Sequence, residues 1–398
     1  MPPSRLVQIG LLLTAKAMIV AASKQCVQFQ VPVPVVATNN HSSIPRVDSN
    51  IDAVQWALDF SVWNATSPAD RNISPYPINQ TFNISAQLCV PATKLDKSDI
   101  LQIAVQGNGW DKRHGDRYWD VQVRPEEHSY VDAAISRGYS ILMFDRIGTG
   151  DSDIPDAYDV VQVATEVEIL TQLTAMARNG TLLSSATVVP TTDNVTVPEP
   201  NPKHIVHVGH SFGSLLIAGL LIKNGDMSEA ALLTGLLPNS THLSDVKVAT
   251  FEHDFAPVHD PVRFGKYASG YIVLTSENTL QKLYFTKDGL EPELLTYTEE
   301  IKQPEAVALY VSSGQAFEDP GPAFKGPIQL LVGEFDYVSC NGDCKGTYTE
   351  EGIMNSTFPE ASNVTVYLQP NTGHALTVAK NASAGFDVML SYLEAHGF

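Results

Sequence analysis

The sequence predicts an α/β fold with a mostly parallel central sheet, helices on both of its faces, and a large helical insertion before the penultimate strand. Three observations carry this. Short apolar runs alternate with helix-spaced segments from about residue 100 to the C-terminus. A Gly-x-Ser-x-Gly string, Gly209 to Gly213, stands between one such run and a helix. Roughly residues 239–320 then separate two consecutive runs, far beyond the usual 2–6-residue connection.

Composition sets the outer bounds. The chain has 398 residues, 43% hydrophobic and 17% charged, which is too apolar for a disordered chain and sufficient for a large core. Its 26 Gly and 25 Pro follow no period, so it is not collagen-like, and 4 Cys are too few for a disulfide miniprotein. Against 25 Lys and Arg stand 44 Asp and Glu, a formal charge of −19. Such a surface repels nucleic acid and anionic lipid, so neither is expected as a partner.

Taken in order, residues 1–23 read as a signal peptide. Arg5 opens it, Leu6 to Val20 is mostly apolar, and Ala21-Ala22-Ser23 suits cleavage. No later stretch reaches the ~18 unbroken apolar residues of a membrane span, so no stable membrane anchor is expected. Sequons at Asn40, Asn64, Asn72, Asn79, Asn83, Asn179, Asn194, Asn239, Asn355, Asn363 and Asn381 point to a eukaryotic secretory pathway and an extracellular glycoprotein. In that compartment Cys26, Cys89, Cys340 and Cys344 are expected as disulfides, and sequence separation favours Cys26–Cys89 and Cys340–Cys344. No His or Cys set has metal-ligand spacing, and no metal or organic cofactor is implied.

Residues 24–398 read as a single domain. Residues 24–95 are Pro-, Asn- and Ser-rich and read as a surface extension with short strands. Ile100–Gln106 and Tyr139–Phe144 are buried-strand candidates, Val160–Arg178 has helical spacing, and 179–203 is a surface loop. His204–Val208 is a strand and Ser214–Lys223 a helix; Ala230–Leu236, Ile328–Val332 and Val364–Leu368 are further strands, and Ala382–Ala395 closes the chain as a helix. The insertion at about 239–320 is rich in Phe and Tyr and is expected to form a helical cap, most of its rings packing the cap's own core.

The chemistry starts at Ser211. A serine presented above a sheet needs a sharp strained turn and tiny residues two positions either side, which Gly209 and Gly213 supply. The hydroxyl needs a base, and His374, in Gly373-His374-Ala375, follows the last strand candidate. The imidazole needs a carboxylate to hold its tautomer. Gly333-Glu334-Phe335-Asp336 follows Ile328–Val332, with Asp336 preferred and Glu334 the rival. The order Ser211, Asp336, His374 is that of the α/β-hydrolases. Oxyanion donors are expected at the N–H of Phe212 and in the loop Gly107-Asn108-Gly109-Trp110, with Asn108 ahead of Gly109. The Asp145-Arg146-Ile147-Gly148-Thr149-Gly150 loop reads as structural.

At these residues the chain resembles the α/β-hydrolase superfamily over about residues 100–398, and more narrowly secreted fungal serine hydrolases of that superfamily. Shared features are the glycine-rich oxyanion loop followed by Tyr118-Trp119-Asp120, the Asp145–Ser152 loop, Val208-Gly209-His210-Ser211-Phe212-Gly213-Ser214, Leu233-Thr234-Gly235, and an acid followed by Cys340-x-x-x-Cys344. One departure is Gln106, where many relatives carry His. The resemblance implies an α/β-hydrolase fold and a carboxylic ester hydrolase acting on a small-molecule ester or acyl substrate. The same triad also serves lactone, amide, thioester and C–C hydrolases and acyltransferases of secondary metabolism. A non-catalytic ligand-binding protein on this fold is the remaining class. An epoxide hydrolase or dehalogenase would need an aspartate where Ser211 stands.

Overall fold

The computed structural model describes residues 23–43, 45–60, 72–111, 118–190, 196–236, 251–348 and 357–398. The expected signal peptide, apart from Ser23, lies outside these residues, as do the sequons at Asn64, Asn194, Asn239 and Asn355 and the first part of the insertion.

The strands are β1 (Lys24–His41), β2 (Ser74–Pro91), β3 (Ile100–Val105), β4 (Ser140–Phe144), β5 (Thr187–Val188), β6 (His204–His210), β7 (Ala230–Thr234), β8 (His253–Phe255), β9 (Tyr271–Leu274), β10 (Glu305–Ala306), β11 (Pro327–Gly333) and β12 (Asn363–Gln369). Nine of them form one sheet in the order β12-β11-β7-β6-β3-β4-β2-β1-β5. From β12 to β4 every pairing is parallel. From β4 to β5 every pairing is antiparallel.

Parallel strands buried on both faces need apolar residues at both parities, and β3 shows it. Leu101, Ile103 and Val105 join one core with the helices Val163–Arg178 and Phe212–Lys223. Ile100 and Ala104 join the other, with the helices Tyr130–Ser136 and Ala382–Ala395. This is the mostly parallel, helix-covered sheet the sequence predicts.

Residues 24–95 differ from the expectation of a surface extension with short strands. β1 and β2 are 18 residues each, pair over their whole length, and extend the main sheet beside β4. Val27, Phe29, Val31, Val33 and Val35 alternate into the core. The prolines between them, Pro32 and Pro34, lie where β1 has β2 on one side and no strand on the other among the described residues, so their missing N–H groups break no ladder. Cys26 and Cys89 sit opposite each other in this hairpin and are disulfide-bonded.

Residues 251–320 are not wholly helical. Beside the helices Glu277–Tyr284 and Pro292–Ile301 they contain an antiparallel sheet of order β10-β9-β8. Phe264, Tyr267 and Tyr271 are buried and pack on one another within this segment. The helix Asn50–Phe60 packs against it through Trp56, whose ring meets Tyr310 edge-on at 5.3 Å.

Candidate active site

Ser211 lies between β6 and the helix Phe212–Lys223 with φ 52° and ψ −118°, a strained conformation for a residue with a Cβ. The turn is held from β7: Ser211 N–H and Ser214 Oγ both donate to Thr234 O, at 2.8 and 2.9 Å. The flanking glycines are sterically required. A Cβ at Gly209 would lie 2.7 Å from Ser214 Cα, and one at Gly213 would lie 2.2 Å from Val105 O.

His374, after β12, is 3% exposed, and Asp336, after β11, is fully buried. His374 Nδ1–H donates to Asp336 Oδ2 at 2.7 Å, which leaves the Nε2 lone pair to accept the Ser211 Oγ–H at 2.8 Å. Asp336 Oδ1 accepts from Ser339 N–H at 2.7 Å and caps the helix Tyr337–Cys340, so the carboxylate is fixed on both oxygens. The Cys340–Cys344 disulfide closes the turn behind it. Glu334 faces away: it pairs with Lys345 and accepts Asn371 N–H, and the Lys345 ammonium holds its carboxyl below the usual range.

Other shared motifs find physical reasons here. Gly235 leaves room for the base, since a Cβ there would stand 3.0 Å from His374 Cε1. Thr234 Oγ1 donates to Gly209 O and therefore accepts from His210 Nδ1–H at 3.0 Å. Burial, with the nearby His374 second, holds the His210 pKa well below the usual value. Its ring stacks on Tyr118 at 4.7 Å and lies 4.8 Å from the His374 ring, so an aromatic wall backs the base. Asp120 is buried and paired with Lys24 and Ser129.

The loop expected to hold the oxyanion donors packs directly on Ser211: a Cβ at Gly107 would lie 3.0 Å from Ser211 Cβ. Gln106, fully buried, donates from Nε2 to Phe144 O at 3.0 Å and ties the loop to the end of β4. Asn108 and Phe212 line a cavity with Ser211 and His374. Gly109 has φ 80° and accepts Gln303 N–H at 2.8 Å, which links this loop to the insertion.

Sequence reasoning passed over Arg146 as structural. It forms a buried two-point ion pair with Glu166, Nε to Oε2 at 2.6 Å and Nη2 to Oε1 at 2.7 Å. From there Nη1 donates to Asn108 Oδ1 at 2.8 Å, and the guanidinium lies over the Phe212 ring, 4.6 Å from its centroid. One side chain thus braces two of the three candidate oxyanion residues, Asn108 and Phe212. Nothing in the loop's own sequence announces this; it depends on Glu166, 20 residues away.

The cavity above Ser211 measures about 260 Å³ and is mostly apolar, with Phe60, Trp110, Phe251 and Tyr284 in its walls. Among the described residues no group of three or more His, Cys, Asp or Glu is placed to hold a metal ion. Among the same residues no helix is long and apolar enough to cross a membrane.

This architecture recurs in solved structures. An esterase from Thermogutta terrifontis, solved with malate bound, matches with TM-score 0.50 at 16% identity, over 80% of this chain and 96% of that one. A bromoperoxidase from Bacillus anthracis matches with TM-score 0.51 at 16% identity, over 79% and 96%. The chain has the α/β-hydrolase fold. No protein-family model and no curated protein sequence matches it. On an α/β-hydrolase sheet, Ser211, Asp336 and His374 occupy strand ends on one edge, where the fold gathers reactive groups.

Proposed function

We propose that the protein is a secreted serine hydrolase that cleaves carboxylic esters through an acyl-enzyme. The observation that carries this is the unbroken hydrogen-bond line Asp336–His374–Ser211 at the wall of an apolar cavity. Ser211 Oγ attacks the ester carbonyl while His374 Nε2 takes its proton, and Asp336 stabilises the imidazolium that forms. The tetrahedral oxyanion is met by the N–H groups of Phe212 and Asn108. The C–O bond to the alcohol breaks and His374 returns the proton to the leaving oxygen. Water then attacks the acyl-enzyme, giving a proton to His374, and the acyl–Oγ bond breaks as His374 passes that proton to Ser211 Oγ and the acid is released.

Secretion is supported by the signal-like N-terminus, the sequon density and the two disulfides. A p-nitrophenyl ester series from acetyl to palmitoyl tests the reading. The protein is expected to hydrolyse at least one member, and Ser211→Ala is expected to lower kcat by about 10⁴–10⁶ with an unchanged circular dichroism spectrum. Full activity in Ser211→Ala would remove Ser211 as nucleophile.

A further inference from the structure

A carboxylate lines the same cavity, and the mechanism above does not use it. Glu305 opens β10 and is 3% exposed. Its Oε1 lies 3.3 Å from His253 Nε2 on β8, while its Oε2 is buried and, among the described residues, has no hydrogen-bond partner. Tyr310 Oη lies 3.3 Å from the same His253 nitrogen and also faces the Glu305 carboxylate, so one phenol hydrogen and at most one hydrogen on that nitrogen are shared among three groups. Among the described residues no lysine or arginine pairs with Glu305.

The position of this carboxylate is fixed relative to the expected oxyanion loop. Gln303 N–H donates to Gly109 O at 2.8 Å, and Glu305 follows two residues later, within about 7 Å along the chain. The carboxylate therefore lines the same cavity as Asn108 and Ser211, whose surface is mostly apolar. A buried carboxylate oxygen without a donor is costly, and a cavity that keeps one is incomplete without a ligand that supplies the hydrogen.

We propose that Glu305 is the specificity-determining residue of this site, its unpartnered oxygen accepting a hydrogen bond from a hydroxyl or ammonium group on the substrate. The substrates are then polar, donor-bearing esters rather than plain hydrocarbon ones. This rests on the ester-hydrolase reading above.

The test compares matched esters. The acyl series pairs p-nitrophenyl hexanoate and octanoate with their ω-hydroxy and ω-amino counterparts; the alcohol series pairs hexanoates of 1-hexanol and 1,6-hexanediol. In at least one series kcat/KM for the donor-bearing ester is expected to exceed its hydrocarbon partner by about a hundredfold, because a site built around a buried polar group rejects the analogue that leaves it unpaired. Glu305→Gln, isosteric and uncharged, should abolish the preference for ammonium and reduce that for hydroxyl. Glu305→Leu should bring both ratios to one or below. Preference for ω-amino over ω-hydroxy esters would identify the donor as ammonium, and the reverse order as hydroxyl. Equal or better turnover of the hydrocarbon ester in every series, or ratios unmoved in Glu305→Gln, would overturn the proposal while leaving the esterase reading intact. Absence of hydrolysis of any ester would overturn both. If Glu305→Leu does not fold, Glu305→Gln alone decides.

Discussion

Ser211, Asp336 and His374 each follow a strand of the parallel half of the sheet, whereas Gln303, Glu305 and Tyr310 come from an insertion whose strands are two to four residues long. The parallel strands β3, β4, β7 and β11 are buried along their whole length, and β6 all but its first residue. β12 is a half-buried edge strand paired with β11, so the turns after β6 and β11 are held from both sides and that after β12 from one. The insertion reaches the same cavity through short elements and loops, by contacts such as Gln303 N–H to Gly109 O and the Tyr284 ring on His374. The difference separates two tasks. On the proposed function, the strand ends would fix the geometry of bond breaking and the insertion what fits against it.

If that division holds, substitutions in the parallel half should act on kcat whatever the substrate. Asp336→Asn should have the largest effect. An amide in place of the carboxylate favours the wrong His374 tautomer, and kcat should fall by about 10⁴ with the thermal melting profile little changed. A fall smaller than tenfold would remove Asp336 from its role. Arg146→Met should follow. It leaves Glu166 buried and unpaired, at a cost of about 3–5 kcal/mol in stability by urea titration. It should also lower kcat by about tenfold to a hundredfold through loss of the brace on Asn108 and Phe212. The double variant Arg146→Met, Glu166→Leu separates these, since it should regain stability without regaining kcat. Recovery of both would make Arg146 merely structural.

The disulfides sharpen the comparison further. Opening Cys26–Cys89, separated by 63 residues, should cost about 4 kcal/mol by loop entropy and leave kcat alone. Opening Cys340–Cys344, separated by 4, should cost only about 2 kcal/mol yet lower kcat, because it loosens the turn carrying Asp336. Equal kcat losses from the two serine pairs would contradict this. The smallest effect concerns acid. Burial holds His207 down from 6.5 to about 3, where it lies between Thr174 and Ser228. Below its unfolded value the unfolded chain binds a proton that the folded chain refuses. Stability should therefore fall as pH drops from 6.5 toward 3, by up to about 1.4 kcal/mol per pH unit. Urea titrations at about pH 7 and pH 5 should show a slope of that sign, and His207→Gln should reduce it, leaving the part that buried His210 contributes.

The parallel half was legible because its signals are local. β11 and β12 lie within one residue of the apolar runs that predict them, and the helix Ala382–Ala395 coincides with its pattern. The Gly-x-Ser-x-Gly turn is written in five consecutive residues. The N-terminal hairpin was misread although its alternation is plain from Val27 to Val35, because Pro32 and Pro34 speak against a strand unless one edge is known to be open. Arg146 and Glu305 were not legible at all. Their meaning comes from partners 20 and 52 residues away, Glu166 and His253, that only the fold brings near.

The central claim is that Ser211 is an activated nucleophile, and covalent labelling tests it most directly. The folded protein would be treated with a fluorophosphonate, digested, and the modified peptide located by mass spectrometry, with Ser211→Ala alongside. The account predicts a single adduct on Ser211, lost in Ser211→Ala and strongly slowed in Asp336→Asn. An unlabelled Ser211 in folded protein, or equal labelling of the Ser211→Ala variant, would contradict it.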